Sequence, residues 1–112
     1  MQNPVSAVNM STLSKKEKYL YAIEQIKAVT ADESNLIANL GNCAAILHST
    51  FGWWWTGFYN VHEKQLILGP FQGPVACTRI HFAKGVCGRA WELGETVVVE
   101  DVETFPGHIA DR

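Results

Sequence analysis

The sequence predicts an α+β domain in which an antiparallel sheet carries helices on one side. Three observations predict it. Apolar residues recur at helical spacing from about residue 15 to residue 47. From Phe51 onward the chain turns rich in aromatic and β-branched residues that alternate with a period of two. No regular strand-helix-strand alternation follows, which argues against a doubly wound parallel sheet.

Met1 to Leu13 is polar and lacks sustained periodicity, so it reads as a flexible tail, and residues 14–112 read as one domain. Ser14-Lys-Lys-Glu17 has the form of a capping box. Tyr19, Ile23 and Ile26 follow at helical spacing and predict a first helix over residues 15–29 with these three on its packed face. Thr30-Ala-Asp-Glu33 marks the boundary into a second helix. There Leu36, Leu40, Cys43 and Leu47 recur, Ile37 and Ala44 widen the stripe, and Cys43 is expected on the buried side.

Trp53 to Val61 reads as a strand with Trp53, Trp55, Gly57, Tyr59 and Val61 on one face; Trp53, Trp54 and Phe58 are assigned to packing. His62 to Gln65 supplies a turn, and Gln65 to Gly69 the returning strand. Gly69-Pro-Phe-Gln-Gly-Pro74 is expected to break the ladder as an exposed loop, since neither proline can donate to it. A third strand carries Ala76, Thr78, Ile80 and Phe82 on one face and Cys77, Arg79 and His81 on the other. Gly85 to Gly88 forms a tight connection into a short helix ending near Leu93. A Gly94-Glu95 turn and a last strand, Thr96 to Glu100, complete the order.

Composition narrows the function. With 47% hydrophobic residues, four tryptophans and a net charge of -2, the chain has a folded composition without the basic excess of a nucleic-acid binder. Its uncharged apolar runs fall far short of a membrane span, and the N-terminus has no signal-peptide pattern, so a cytoplasmic protein is expected. Three cysteines without metal-knuckle spacing fit the same compartment.

The segment built for chemistry is Gly69 to Gly88, which holds glycines 69, 73, 85 and 88 and two of the three cysteines. Cys77 shares its predicted strand face with Arg79 and His81. Cys87 falls near a helix N-terminus, flanked by Lys84 and Arg89, surroundings that favour thiolate over thiol. An ordinary strand residue at 77 and a packed turn residue at 87 are the alternatives. Trp55 and Tyr59 form an aromatic wall suited to a thioether-like group, because sulfur packs well on rings; plain core packing is the other reading. Cys77 and His81 would lie about 13 Å apart along a strand, and the spacing fits no common zinc site.

Several motifs in order carry a resemblance: Trp55-Thr-Gly-Phe-Tyr59, Leu68-Gly-Pro-Phe-Gln-Gly-Pro-Val-Ala-Cys77, Gly85-Val-Cys-Gly88, Glu100-Asp101-Val102 and Phe105-Pro-Gly-His-Ile-Ala110. From about Tyr19 onward the chain resembles the free methionine-(R)-sulfoxide reductases, which are built on a GAF domain. The resemblance implies a GAF-like antiparallel sheet with flanking helices, no cofactor, free methionine sulfoxide as substrate and thioredoxin as reductant. In that chemistry a thiolate attacks the sulfoxide sulfur and leaves methionine and a cysteine sulfenic acid, which a second thiol resolves.

In the family the attacking cysteine follows His-Ile-Ala, and here Asp111 stands in that position, ahead of Arg112. Cys77 matches the resolving position, and Trp55 and Tyr59 match residues that line the substrate pocket. His108 could tune a thiol or donate to the sulfoxide oxygen, or be an exposed loop histidine. A carboxylate cannot replace a soft sulfur nucleophile, so Cys77 or Cys87 would have to attack. The resemblance also implies that further strands and a closing helix are missing after Arg112, leaving an open sheet edge prone to self-association. Two other readings stay open: an inactive GAF remnant acting as a small-ligand or interaction module, and a fragment of a longer gene.

Overall fold

The structure, a computed structural model, describes residues 9–100. It holds three helices and a three-stranded antiparallel sheet: α1 (Lys15–Thr30), α2 (Leu36–Phe51), β1 (Thr56–His62), β2 (Gln65–Gln72), β3 (Arg79–His81) and α3 (Gly85–Leu93). The strands lie in the order β1-β2-β3. A short 3-10 turn, Met10–Thr12, precedes α1 and is capped by the Asn9 side chain. Two compact units result, Met1–Phe58 with Pro70–Pro74 and Tyr59–Gly69 with Val75–Arg112.

In the first unit, α1 starts where the capping box predicts. The Ser14 hydroxyl accepts from the Glu17 amide at 3.1 Å, and the Glu17 carboxylate accepts from the Ser14 amide at 2.8 Å. The Ser14 amide, and then its hydroxyl, hold the Glu17 carboxyl below its ordinary range. This contribution is therefore present above the ordinary carboxylate range and is lost as the pH falls through the lowered value.

The packed faces differ from the expected stripes. Tyr19 and Ile23 are 41% and 46% exposed, while Ala22 is buried; in α2, Leu36 and Ile37 are 66% and 72% exposed, while Ala44, Ile46 and Thr50 are buried. The buried alanines explain the difference, because a small side chain lets a neighbouring backbone approach and α1 packs against α2. The second helix begins after an Asn35 cap, whose side chain accepts from the Ala38 amide, two residues beyond the expected boundary. Tyr19, Phe51 and Trp53 form a row of rings with successive centroid separations of 4.5 and 4.4 Å. Trp53 stacks on Phe51 yet is 40% exposed, Trp54 is 69% exposed, and both precede the strand, which starts at Thr56.

In the second unit, the hairpin turns at Glu63 and Lys64, both in the left-handed region (φ 48° and 66°), as a two-residue turn matched to strand twist requires. β2 then runs past Pro70 to Gln72 instead of ending at Gly69. The Leu68 amide donates to the Thr78 carbonyl at 2.9 Å, so by alternation the missing amide of Pro70 faces the same flank of β2. β3 pairs only with Gln65, Leu66 and Ile67, so no β3 ladder bond is lost there. Leu66 and Ile80, a register pair, form the buried centre of this unit.

The expected third strand is shorter than its alternation suggests. The chain bends at Thr78, which leaves Cys77 outside the ladder. Residues 96–100 form no strand, although exposure alternates, with Val97 and Val99 half-buried and Val98 86% exposed. Alternation alone does not make a strand; a ladder partner is also required.

Candidate thiol site

Cys87 is the third residue of α3 and is exposed. The first-turn amides of a helix point outward with partial positive charge, and Lys84, at the N-cap, makes no side-chain capping bond to them. Arg89 does not add its charge freely, because its guanidinium forms an ion pair with Glu92 on the same helix.

The helix start is held against the preceding turn. The Ala83 amide donates to the Gly88 carbonyl at 3.0 Å, and the Lys84 amide to the His81 carbonyl at 3.2 Å. Gly88 is buried, and a Cβ there would lie 2.7 Å from the His81 carbonyl oxygen. The glycine after Cys87 is thus a requirement of close backbone approach.

Cys77 is half-buried. Its carbonyl accepts a hydrogen bond from the Tyr59 hydroxyl at 2.6 Å. Arg79 and His81, which share its face in the strand pattern, both meet Gln65. Arg79 donates to the Gln65 Oε1 at 2.9 Å, and Gln65 Nε2 lies 3.4 Å from His81 Nδ1. Gln65 faces His81 in the β2–β3 register and so gathers both groups onto itself.

Trp55, in the first unit, stacks on Phe71 with ring centroids 5.5 Å apart and planes 16° apart. Tyr59 belongs to the second unit. Phe71 and Gln65 carry contacts that the sequence pattern did not single out, because both depend on strand pairing. A further apolar recess of about 410 Å³ is lined by Lys64, Phe82 and Trp91, with the two rings edge to face at 4.9 Å. Glu100 is exposed, and Asp101, His108 and Asp111 lie outside the described residues. Among the described residues there is no group of three or more His, Cys, Asp or Glu that could hold a metal ion, and no helix long and apolar enough to cross a membrane.

Cys43, in α2, is half-buried, and burial pushes its thiol pKa up. It should therefore react with iodoacetamide at pH 7.5 at least tenfold more slowly than Cys87 in the folded chain, and equally fast in urea. Peptide mapping of the alkylated protein checks this; fast native labelling of Cys43 would overturn its assignment as a packing residue.

No family model matches the sequence. Individual proteins do. The chain is 50% identical over 104 residues to GAF domain-containing protein A of Dictyostelium discoideum, covering 92% of this chain and 66% of that protein. It is 39% identical over 99 residues to free methionine-R-sulfoxide reductase of Escherichia coli, covering 88% and 60%. Among solved structures, the free methionine-R-sulfoxide reductase of Neisseria meningitidis, in complex with its substrate, superposes with a TM-score of 0.85 at 51% identity, covering 92% of this chain and 63% of that one. The chain thus spans a little under two thirds of the length of these relatives. In sequence and in its GAF-like fold, it is a homologue of the free methionine-R-sulfoxide reductases.

Proposed function

We propose that the chain carries thiol machinery for reducing free methionine-(R)-sulfoxide in the cytoplasm, with Cys77 and Cys87 as its redox cysteines and thioredoxin as the reductant. The observation that carries this reading is Cys87, a thiol exposed in the first turn of α3 in a homologue of sulfoxide reductases. A helix start lowers the cost of a thiolate, and an exposed thiolate can meet both a sulfur electrophile and a protein reductant. Trp55, held flat against Phe71, supplies an aromatic surface on which the methylthio end of the substrate would pack well.

A second reading, a small-ligand or interaction module without turnover, is favoured by Asp111, a carboxylate where the family places its attacking thiol. Both readings in which a methionine-like ligand is held require binding. Calorimetric titration with free methionine-(R)-sulfoxide should give saturable heat that the (S)-epimer does not. Trp55→Ala should weaken that binding by about tenfold or more, equivalent to about 1.4 kcal/mol. Equal heats for the two epimers would remove the selectivity for the (R)-sulfoxide, and none for either would remove methionine sulfoxide as the ligand.

A further inference from the structure

We infer that Tyr59 is a positioning residue for Cys77, acting through the main chain by its hydroxyl. The inference rests on the reading of Cys77 as a redox thiol and adds to Tyr59 a task separate from lining a pocket. Residues 73–78 lie between β2 and β3, and the chain bends at Thr78. Two successive carbonyls are held at that bend. The Leu68 amide of β2 holds the Thr78 carbonyl at 2.9 Å, and the Tyr59 hydroxyl of β1 holds the Cys77 carbonyl at 2.6 Å.

Fixing the carbonyl of Cys77 restrains the torsion beside its Cα, and so the direction in which Cβ and Sγ project. A disulfide tolerates little error in that direction. The Tyr59 bond spans 18 positions of sequence and is partly buried, away from the competition of bulk water. Cys77 lies outside the ladder, so the strand itself does not hold its carbonyl.

The test uses the whole chain, reduced and then exposed to oxidised glutathione. In the exchange, the Cys77 thiolate attacks one glutathione sulfur, a new S–S bond forms, the old one breaks, and the other glutathione leaves as thiolate. Peptide mapping reads the rate at Cys77 and at Cys87 separately, and the urea midpoint reports global stability.

Tyr59→Phe keeps the ring and removes the hydroxyl that makes the tether. The rate at Cys77 should rise about fivefold, the size of one net hydrogen bond, while Cys87 stays within twofold. At equilibrium with glutathione, the ratio of intramolecular disulfide at Cys77 to its mixed disulfide should fall by a similar factor. Loss of global stability alone would move both cysteines together and would overturn the inference.

Tyr59→Leu removes the ring as well. If Phe behaves like Tyr and only Leu changes Cys77, the ring and not the hydroxyl is responsible, and the inference is again overturned. If Cys77 forms no intramolecular disulfide in the unmodified chain, its redox role fails, while its glutathione exchange rate still decides the tether.

Discussion

Given free methionine-(R)-sulfoxide and a thioredoxin recycling system, the purified chain should turn over far more slowly than the 1 per second or so that marks an ordinary enzyme. The expected loss is large because attack on a sulfoxide sulfur needs a polarisable, nucleophilic thiolate. Position 111, after His108-Ile-Ala110, carries a carboxylate instead. A carboxylate oxygen forms no stable bond to that sulfur, and it cannot end as the sulfenic acid that a second thiol resolves. Methionine release followed by amino-acid analysis checks the rate. Turnover near 1 per second would mean that Cys77 or Cys87 attacks, and substituting each with Ser would say which. Asp111→Cys measures the share of that one side chain: a gain of a hundredfold or more places the defect there, and no gain places it in the formation of the pocket.

The second large effect is structural. Gly88→Ala should lower stability by about 2 to 3 kcal/mol, because the new methyl would sit 2.7 Å from the His81 carbonyl oxygen and 3.2 Å from backbone atoms of Ala83. These are main-chain atoms, held by the bonds from Ala83 to Gly88 and from Lys84 to His81, so no side chain can swing aside. For a domain of this size the melting midpoint should fall by roughly 10 °C or more. Gly41→Ala gives the opposite sign. It lies inside α2 with nothing within 4 Å of the added carbon, so the higher helix propensity of alanine should stabilise by up to about 1 kcal/mol. Thermal unfolding followed by circular dichroism measures both. A Gly88→Ala chain that melts like its parent would remove the close approach that fixes the start of α3, and with it the structural reason for the placement of Cys87.

Local chemistry was legible in the sequence. The capping box of Ser14 and Glu17 and the turn at residues 62–65 depend on residues within a few positions of one another, and both occur where their patterns place them, whereas Gly85 to Gly88, which reads as a connection ahead of a helix, is the first turn of α3 itself. What depended on partners was not legible. The spacing of Leu36 and Ile37 matches a buried stripe, but spacing does not say which part of a stripe meets a neighbour, and both are exposed. Pro70 reads as a ladder breaker until the short reach of β3 shows that the flank it faces needs no donor. Cys77 alternates with Arg79 and His81 on paper, yet a bend at Thr78 separates it from them, and Gln65, a residue of another strand, takes up their hydrogen bonds. The bond from Tyr59 to Cys77 joins residues of two different segments, which no local pattern could reveal.

The proposed function stands on Cys77 and Cys87 acting as one redox pair, and disulfide mapping tests that most directly. The reduced chain is oxidised with diamide at low protein concentration, digested and analysed by mass spectrometry, before and after addition of thioredoxin with its recycling system. The expected product is a peptide joining Cys77 to Cys87 within one chain, abolished by Cys77→Ser or Cys87→Ser and removed by thioredoxin. A bond of that kind requires Cα atoms within about 7 Å of each other in the reacting conformation. Intermolecular links only, a bond through Cys43, or a Cys77–Cys87 bond that thioredoxin leaves intact would contradict it.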